Sequence, residues 1–213
     1  MQSRVSDEKD IRIMIGVLDA VARDSSVTQR DLASELGIAL GLANAYLRRC
    51  VRKGLVKIGT APLNRYAYYL TPSGFAEKSR LTTEYLTLSF RFFRTARAEC
   101  SALLEECRRN NWRRVILLGS GDLAEVAVLS SVEVGVEVVA VVDAAAAGGV
   151  CAGCPVVAVP PAFDAVLVTD MRAPAEAIGS GLELAGAAGL AENRVLVPRL
   201  LGISGAGAQR GTA

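Results

Sequence analysis

Thr28-Gln29-Arg30-Asp31-Leu32-Ala33-Ser34-Glu35-Leu36-Gly37-Ile38 is the stretch whose reading decides the fold. Thr28 offers a capping hydroxyl, and Leu32, Ala33 and Leu36 recur on one helical face, so a short helix is expected over residues 29–36. Gly37 supplies a tight turn. A second helix is expected over residues 39–53, with Gly54 stopping it as a C′ glycine. Upstream, Ile11, Ile15, Leu18 and Val21 or Ala22 mark an amphipathic helix over residues 8–23, broken at Ser25-Ser26. Downstream, residues 55–58 and 66–70 read as strands joined by a wing over residues 59–65. Helix, tight turn, helix and hairpin in that order are the spacing of a winged helix-turn-helix.

The second of these helices has two faces. Ala43, Tyr46, Leu47 and Cys50 fall inward, while Ala39, Leu40, Gly41, Leu42, Asn44, Ala45 and Arg48 fall outward. The N-terminal end of such a helix enters a major groove, where Asn44 matches adenine and Leu42 or Ala45 a thymine methyl. Arg48, Arg49, Arg52, Lys53, Lys57 and the wing's Arg65 are expected to meet phosphates. Thr28 and Gln29, where the first of the two helices starts, complete a candidate interface with double-stranded DNA. A charge run is often only a solvated helix face. Its place at the end of the second helix favours DNA.

Charge supports that placement. The 213 residues carry 24 Lys+Arg against 22 Asp+Glu, but the balance is uneven: the chain through Arg114 has a net charge of +8 and the remainder −6. With no histidine, Ser-His-Asp and Cys-His mechanisms and imidazole-bound zinc are excluded, and no catalytic or metal-ligating residues are assigned. The polar Met1–Asp10 segment lacks the apolar core of an export signal, and the longest uncharged run, residues 144–163, is broken by Gly and Pro. A cytoplasmic chain with five reduced cysteines and no membrane partner is expected.

Residues 28–38, together with Arg52-Lys53-Gly54-Leu55-Val56, resemble winged-helix regulators of the MarR type. Leu70-Thr71-Pro72-Ser73-Gly74-Phe75-Ala76-Glu77-Lys78-Ser79-Arg80-Leu81, with Leu40-Gly41 and Asn44, is similar to the group of these regulators associated with exopolysaccharide genes. The resemblance covers roughly residues 8–107 and implies a transcriptional regulator of polysaccharide-related genes. Ala39 and Leu42 depart from its pattern, which implies a different DNA sequence read.

Thr71 as N-cap and Pro72 at the first position open a helix that, past Gly74, meets no Pro or Gly until Gly119, so a helix over residues 73–110 is expected. One of its ridges carries Leu81, Tyr85, Leu88 and Phe92, and another Leu86, Phe90 and Phe93, then Leu104 and Cys107. That surface is too wide for one neighbour and points to a homodimer through this helix. The other reading packs the helix across its own domains, and a kink or break near residues 95–98 is compatible with the sequence.

Residues 115–118 read as a buried strand, followed by Gly119-Ser120-Gly121-Asp122-Leu123-Ala124, a helix to about Val134, and a second strand over 138–142 ending at Asp143. A glycine turn between strand and helix, with an acid at the end of the next strand, is the context of a nucleotide-binding fingerprint. Gly119, Ser120, Gly121, Asp122 and Leu123 would approach a phosphate, and Asp143 a ribose hydroxyl. Asp122 would also repel a pyrophosphate, and no Lys or Arg lies between Arg114 and Arg172 to offset it. Further strands over 155–159, 164–168 and 194–197, with a helix over 174–189, imply a parallel sheet covered on both faces.

Gly119-Ser120-Gly121-Asp122, Val139-Ala140-Val141-Val142-Asp143 and Gly153-Cys154-Pro155-Val156-Val157 resemble the small nucleotide-binding domain of polysaccharide-biosynthesis proteins. The resemblance implies a Rossmann-like domain and a nucleotide, nucleotide-sugar or CoA effector; no cofactor is assigned. Cys151-Ala152-Gly153-Cys154 reads as incidental to this pattern. The expected organisation is a winged helix over residues 1–71, a connecting and dimerisation helix over 72–111, a Rossmann-like α/β domain over 112–202 and a flexible tail over 203–213. The alternatives are a nucleotide-dependent oxidoreductase or sugar-modifying protein with an appended DNA-binding module, and a regulator whose α/β domain serves only interaction.

Overall fold

The computed structural model of the chain describes residues 2–61 and 65–202. The expected tail over 203–213 lies outside them. The chain divides into two compact units, Met1–Phe90 and Arg91–Ala213, with the division inside one long helix.

The first unit runs α1 (Gln2–Arg23), α2 (Gln29–Leu36), α3 (Leu40–Arg52), β1 (Val56–Ala61), β2 (Arg65–Leu70) and the first turns of α4 (Pro72–Arg109). A reciprocal capping box starts α2. The Thr28 hydroxyl accepts the Asp31 N–H at 3.2 Å, while the Asp31 carboxylate accepts the Thr28 N–H at 3.0 Å. Gly37, in the left-handed region at φ 61, ends α2, and the N–H of Ile38 returns to the Ala33 carbonyl. Ala39 gives α3 no side-chain cap, so the departure noted at that position leaves this helix start uncapped.

Leu18, Leu32, Ala43, Leu47, Cys50 and Val56 form the centre of this unit's core. In α1 the buried residues are Ile13, Met14, Val17, Leu18, Ala20 and Val21, while Ile11 and Ile15 only flank them and Ala22 is exposed. The buried face is wider than the expected stripe because this core draws on α2, α3 and the hairpin together.

The hairpin strands are longer than expected. β1 and β2 pair antiparallel from Val56↔Leu70 through Ala61↔Arg65, so residues 59–61 and 65 belong to the strands. Gly59 was expected to begin the wing, yet it lies within β1, and a Cβ there would sit 2.9 Å from the ring of Tyr69; the glycine admits that ring over the strand. The wing tip, residues 62–64, lies outside the described residues.

The start of α4 is anchored on the turn that joins α3 to β1. The Thr71 hydroxyl donates to the Gly54 carbonyl at 2.7 Å and accepts the Gly74 N–H at 3.0 Å. A Cβ on Gly74 would lie 2.1 Å from the Leu55 carbonyl oxygen, so only glycine permits this close approach. The helix then runs without a break to Arg109.

The second unit is a Rossmann-like α/β unit. Its elements are β3 (Arg114–Leu118), α5 (Asp122–Val134), β4 (Glu137–Val142), β5 (Val150–Cys151), β6 (Cys154–Val157), β7 (Ala165–Val168), α6 (Pro174–Ala187) and β8 (Val195–Leu196). The sheet order is β5-β6-β4-β3-β7-β8, parallel except for the β5–β6 pair. β3 alternates between two cores: Val115 and Leu117 join α5, and Ile116 and Leu118 join the side of α6. Ala96, Cys100, Leu104 and Cys107 of α4 are fully buried in the first of these cores. That part of the wide apolar surface is therefore covered by the chain's own sheet.

Three expectations need correcting. The sheet is mixed, because Val150–Cys151 adds an antiparallel edge strand through a two-residue turn at Ala152 (φ 48) and Gly153 (φ 86). The strand expected over 155–159 starts one residue earlier, at the hairpin partner Cys154, and ends at Val157. The helix expected to reach 189 ends at Ala187, with Gly189 (φ 69) beyond it in the left-handed region. Among the described residues no helix is long and apolar enough to cross a membrane.

Candidate nucleic-acid interface and ligand crevice

Gly41, Ala45, Arg48 and Arg52 are exposed and succeed one another along α3 at i, i+4, i+7 and i+11, opposite the buried Ala43, Tyr46, Leu47 and Cys50. Leu40 and Leu42 are exposed at the helix start, 50% and 39%. Among the described residues no carboxylate pairs with Arg48, Arg52, Lys53 or Lys57. Arg49 differs, since its guanidinium lies 3.7 Å from Asp10 on α1. Asp10 also accepts the Tyr46 hydroxyl, whose pKa is pushed up to about 12 by burial and by that carboxylate. Thr28 is committed to the capping box, and Gln29 follows it on the α3 side of α2. The side chain of Arg65, at the start of β2, lies outside the described part of the structure.

Between α3 and the hairpin lies a cleft of about 640 Å³, lined by Gln29, Asn44, Arg48, Arg52, Ile58 and Tyr66 over the buried Leu47 and Tyr68. The Asn44 Oδ1 is buried with no hydrogen-bond partner. Ile58 and Tyr66 are 44% and 67% exposed. Ile58 pairs with Tyr68, and Tyr66 follows two residues before Tyr68 on the same face of β2. Neither Ile58 nor Tyr66 was singled out by sequence. The signal was there: an apolar face of a hairpin whose period of two runs on past its buried end.

In the second unit, the C-terminal ends of β3, β4 and β7 converge where the strand order reverses direction, with β4 on one side of β3 and β7 on the other. Gly119 sits at φ 96, and a Cβ there would lie 2.6 Å from the Asp170 Cα, so both conformation and space require glycine. Ser120 donates its N–H and its hydroxyl to Asp143 at 3.2 and 2.5 Å, and the Ala145 N–H adds a third bond at 3.1 Å. Arg172 donates to the same carboxylate at 2.9 Å. These bonds, the Ser120 hydroxyl foremost, hold Asp143 at about 2 against its ordinary 3.8.

A crevice of about 280 Å³ opens here, with Gly119, Asp143, Asp170, Glu176 and Ser180 on its walls. Thus Gly119, Ser120 and Asp143 come together, as the sequence spacing suggested. Gly121 and Asp122 are exposed at the start of α5, outside the crevice lining, and Leu123 is fully buried in the core. Asp170 and Arg172, which sequence reasoning missed, come from the loop after β7; distance along the chain hid them. Cys151 and Cys154 face one another as buried free thiols, both raised by burial. Among the described residues no group of three or more Cys, Asp or Glu could hold a metal ion.

Residues 7–57 match the model of a family described as winged helix-turn-helix DNA-binding. The first unit therefore carries a winged helix-turn-helix DNA-binding domain. Solved structures similar to the chain include MepR, a transcription regulator of the Staphylococcus aureus multidrug efflux pump MepA, at 21% identity and a TM-score of 0.33 over 38% of this chain and 61% of that one. They also include PigF with SAH, at 14% identity and a TM-score of 0.29 over 79% of this chain and 64% of that one. The chain thus spans less than two thirds of either protein. No curated protein matches it.

The match to the winged helix covers α1 from residue 7, α2, α3 and the first two residues of β1. Every sequence-expected DNA contact except Arg65 falls within it. The cleft side of α3, carrying Asn44, Arg48 and Arg52, is distinct from the α1 side, where Arg49 meets Asp10.

Proposed function

We propose that the chain is a transcriptional regulator that binds double-stranded operator DNA through the winged helix and answers to a small-molecule effector at the crevice of the α/β unit. The observation that carries the reading is the outward stripe of α3, whose Arg48 and Arg52 have no carboxylate partner among the described residues. Cations left free beside a recognition helix are what phosphate contacts need. Leu40, Gly41, Leu42, Asn44 and Ala45 are the base-facing set; Arg48, Arg49, Arg52, Lys53, Lys57 and Arg65 the phosphate-facing set; Thr28 and Gln29 flank them.

The effector is a nucleotide or nucleotide-sugar. Support for this comes from the glycine turn with Gly119 at φ 96, the acid at the end of the next strand, and the crevice at the point where the strand order reverses. The regulated genes are polysaccharide-related, on the resemblance of residues 70–81. The regulator acts as a homodimer through α4, where Leu86, Phe90, Phe92 and Phe93 stand 41–60% exposed. Fluorescence anisotropy with a duplex from upstream of the gene tests the reading: binding that weakens steeply with salt supports it, and equal affinity for duplex and buffer-matched polyanion contradicts it.

A further inference from the structure

Cys151-Ala152-Gly153-Cys154, a spacing that neither the DNA interface nor the crevice uses, folds into the hairpin that joins β5 to β6. Both turn residues hold positive φ, 48 at Ala152 and 86 at Gly153, the conformation of a tight two-residue hairpin turn. The turn sets the two cysteines directly opposite one another across the strand pair. Opposed antiparallel residues stand about 4.5–5.5 Å apart at Cα, inside the roughly 4.4–6.8 Å that a disulfide spans. Such partners point to one face of the sheet, and both thiols enter the same core, each 6% exposed. Cys100 and Cys107, by contrast, lie about 10 Å apart along α4, too far to bond to one another.

The surroundings of the two sulfurs differ. The backbone N–H of Gly121, at the start of α5, faces the Cys151 sulfur. The Cys154 thiol donates to the Val138 carbonyl at 3.4 Å. A thiolate is favoured beside a helix N-terminus, whereas a thiol that donates keeps its proton. Burial raises both thiols, so thiolate is scarce and oxidation slow. β5 is a two-residue strand at the sheet edge and both turn residues are exposed, so the pair lies at the margin of its core.

We propose that Cys151 and Cys154 form a reversible disulfide, with a peroxide as oxidant, and that this bond resets the glycine turn at the start of α5. The Cys151 thiolate attacks one oxygen of hydrogen peroxide, breaking the O–O bond and giving a sulfenic acid. The hydroxide released takes up the proton that Cys151 lost. The Cys154 sulfur then attacks the Cys151 sulfur: the S–S bond forms, the S–O bond breaks, and the thiol proton leaves with that oxygen as a second water. The two sulfurs lose two electrons and the peroxide gains them. A dithiol reductant reverses the step by exchange. So short a loop gains little from a cross-link, which makes the bond a switch and not a staple. Oxidation removes the S–H that Val138 accepts and draws the Cys151 sulfur towards Cys154, away from Gly121. Gly119 of the same turn walls the crevice, so the change reaches the ligand site. None of this depends on DNA binding or on the identity of the effector.

The test treats the folded full chain with hydrogen peroxide, blocks the remaining thiols with N-ethylmaleimide and maps the peptides by mass spectrometry. Free thiols are expected to fall from five to three. The peptide bearing Cys151 and Cys154 should be two hydrogens lighter and unalkylated, and dithiothreitol should restore all five thiols. Cys151→Ala, checked for a matching thermal transition, is expected to abolish this product. Amide exchange over residues 119–125 should be faster in the oxidised chain and return to its starting rate with reductant. Five thiols surviving peroxide in the folded chain overturn the proposal, as does a bond that forms only in urea, a bond to another cysteine, or oxidation of Cys151 that never reaches Cys154. A disulfide that forms yet leaves exchange over residues 119–125 unchanged refutes the link to the glycine turn.

Discussion

Arg172, from the loop after β7, places its guanidinium 2.9 Å from the carboxylate of Asp143 at the end of β4. Asp143 is the residue that the fingerprint reserves for a ribose hydroxyl, yet here it also accepts three bonds from Ser120 and Ala145. A ligand that uses Asp143 must therefore displace one of these donors, and the exposed Arg172 is the one free to move, its side chain being 65% exposed. The crevice also brings its own cation, which the acidic sequence between Arg114 and Arg172 seemed to lack.

Asp143 titrates low in the folded chain, about 2 against 3.8, so its contribution to stability is full above pH about 4 and is lost as pH falls towards 2. Thermal unfolding followed from pH 6 to pH 2 should show this loss in the wild type. Asp143→Asn should start less stable at pH 6 and lack that part of the acid limb. An identical acid limb in the variant counts against the Ser120 and Arg172 bonds.

Gly119→Ala places a methyl group within 2.6 Å of the Asp170 Cα at a φ of 96. Strain and overlap together should destabilise the chain by about 3 kcal/mol or more, read as a lower urea midpoint for the second unit. A neutral substitution would mean that the turn relaxes, and the crevice with it.

Thr28 was expected both to cap α2 and to stand beside DNA, and its hydroxyl does cap α2. Thr28→Ala should cost about 1 kcal/mol in stability by urea unfolding, and Thr28→Ser should restore it. If Thr28→Ala leaves stability intact and weakens only DNA binding, the hydroxyl serves the interface.

The winged helix was legible because its signals are local. Thr28, Gly37, Gly54, Thr71 and Pro72 each mark a boundary within a few residues of the element they end or begin, and the buried face of α3 follows from period alone. Gly59 was placed at the start of the wing because a glycine that opens a loop and one that admits an aromatic ring over a strand look alike in sequence. The crevice was half legible: Gly119 and Asp143 lie on one strand–helix–strand unit, while Arg172 joins them only through sheet order. For the same reason Leu104 and Cys107 stood on a ridge that pointed to a second subunit, although they are buried with Ala96 and Cys100 in the core of the α/β unit. No periodicity reveals what an apolar stripe will meet.

What remains uncovered on α4 carries the dimer proposal. Phe90 is 60% exposed, and Phe90→Glu should shift the chain from dimer to monomer in sedimentation velocity while leaving its far-UV spectrum unchanged. A wild type that sediments as a monomer at all concentrations refutes the proposal without touching the fold.

The central claim is that α3 meets DNA through Arg48 and Arg52, and one salt titration tests it most directly. Affinity for the upstream duplex is measured from low to moderate salt for the wild type and for Arg48→Ala with Arg52→Ala. The account predicts a linear fall of log K with log salt in the wild type and a slope shallower by about 1.8 in the double variant. An unchanged slope, or a wild-type chain that does not bind, would contradict it.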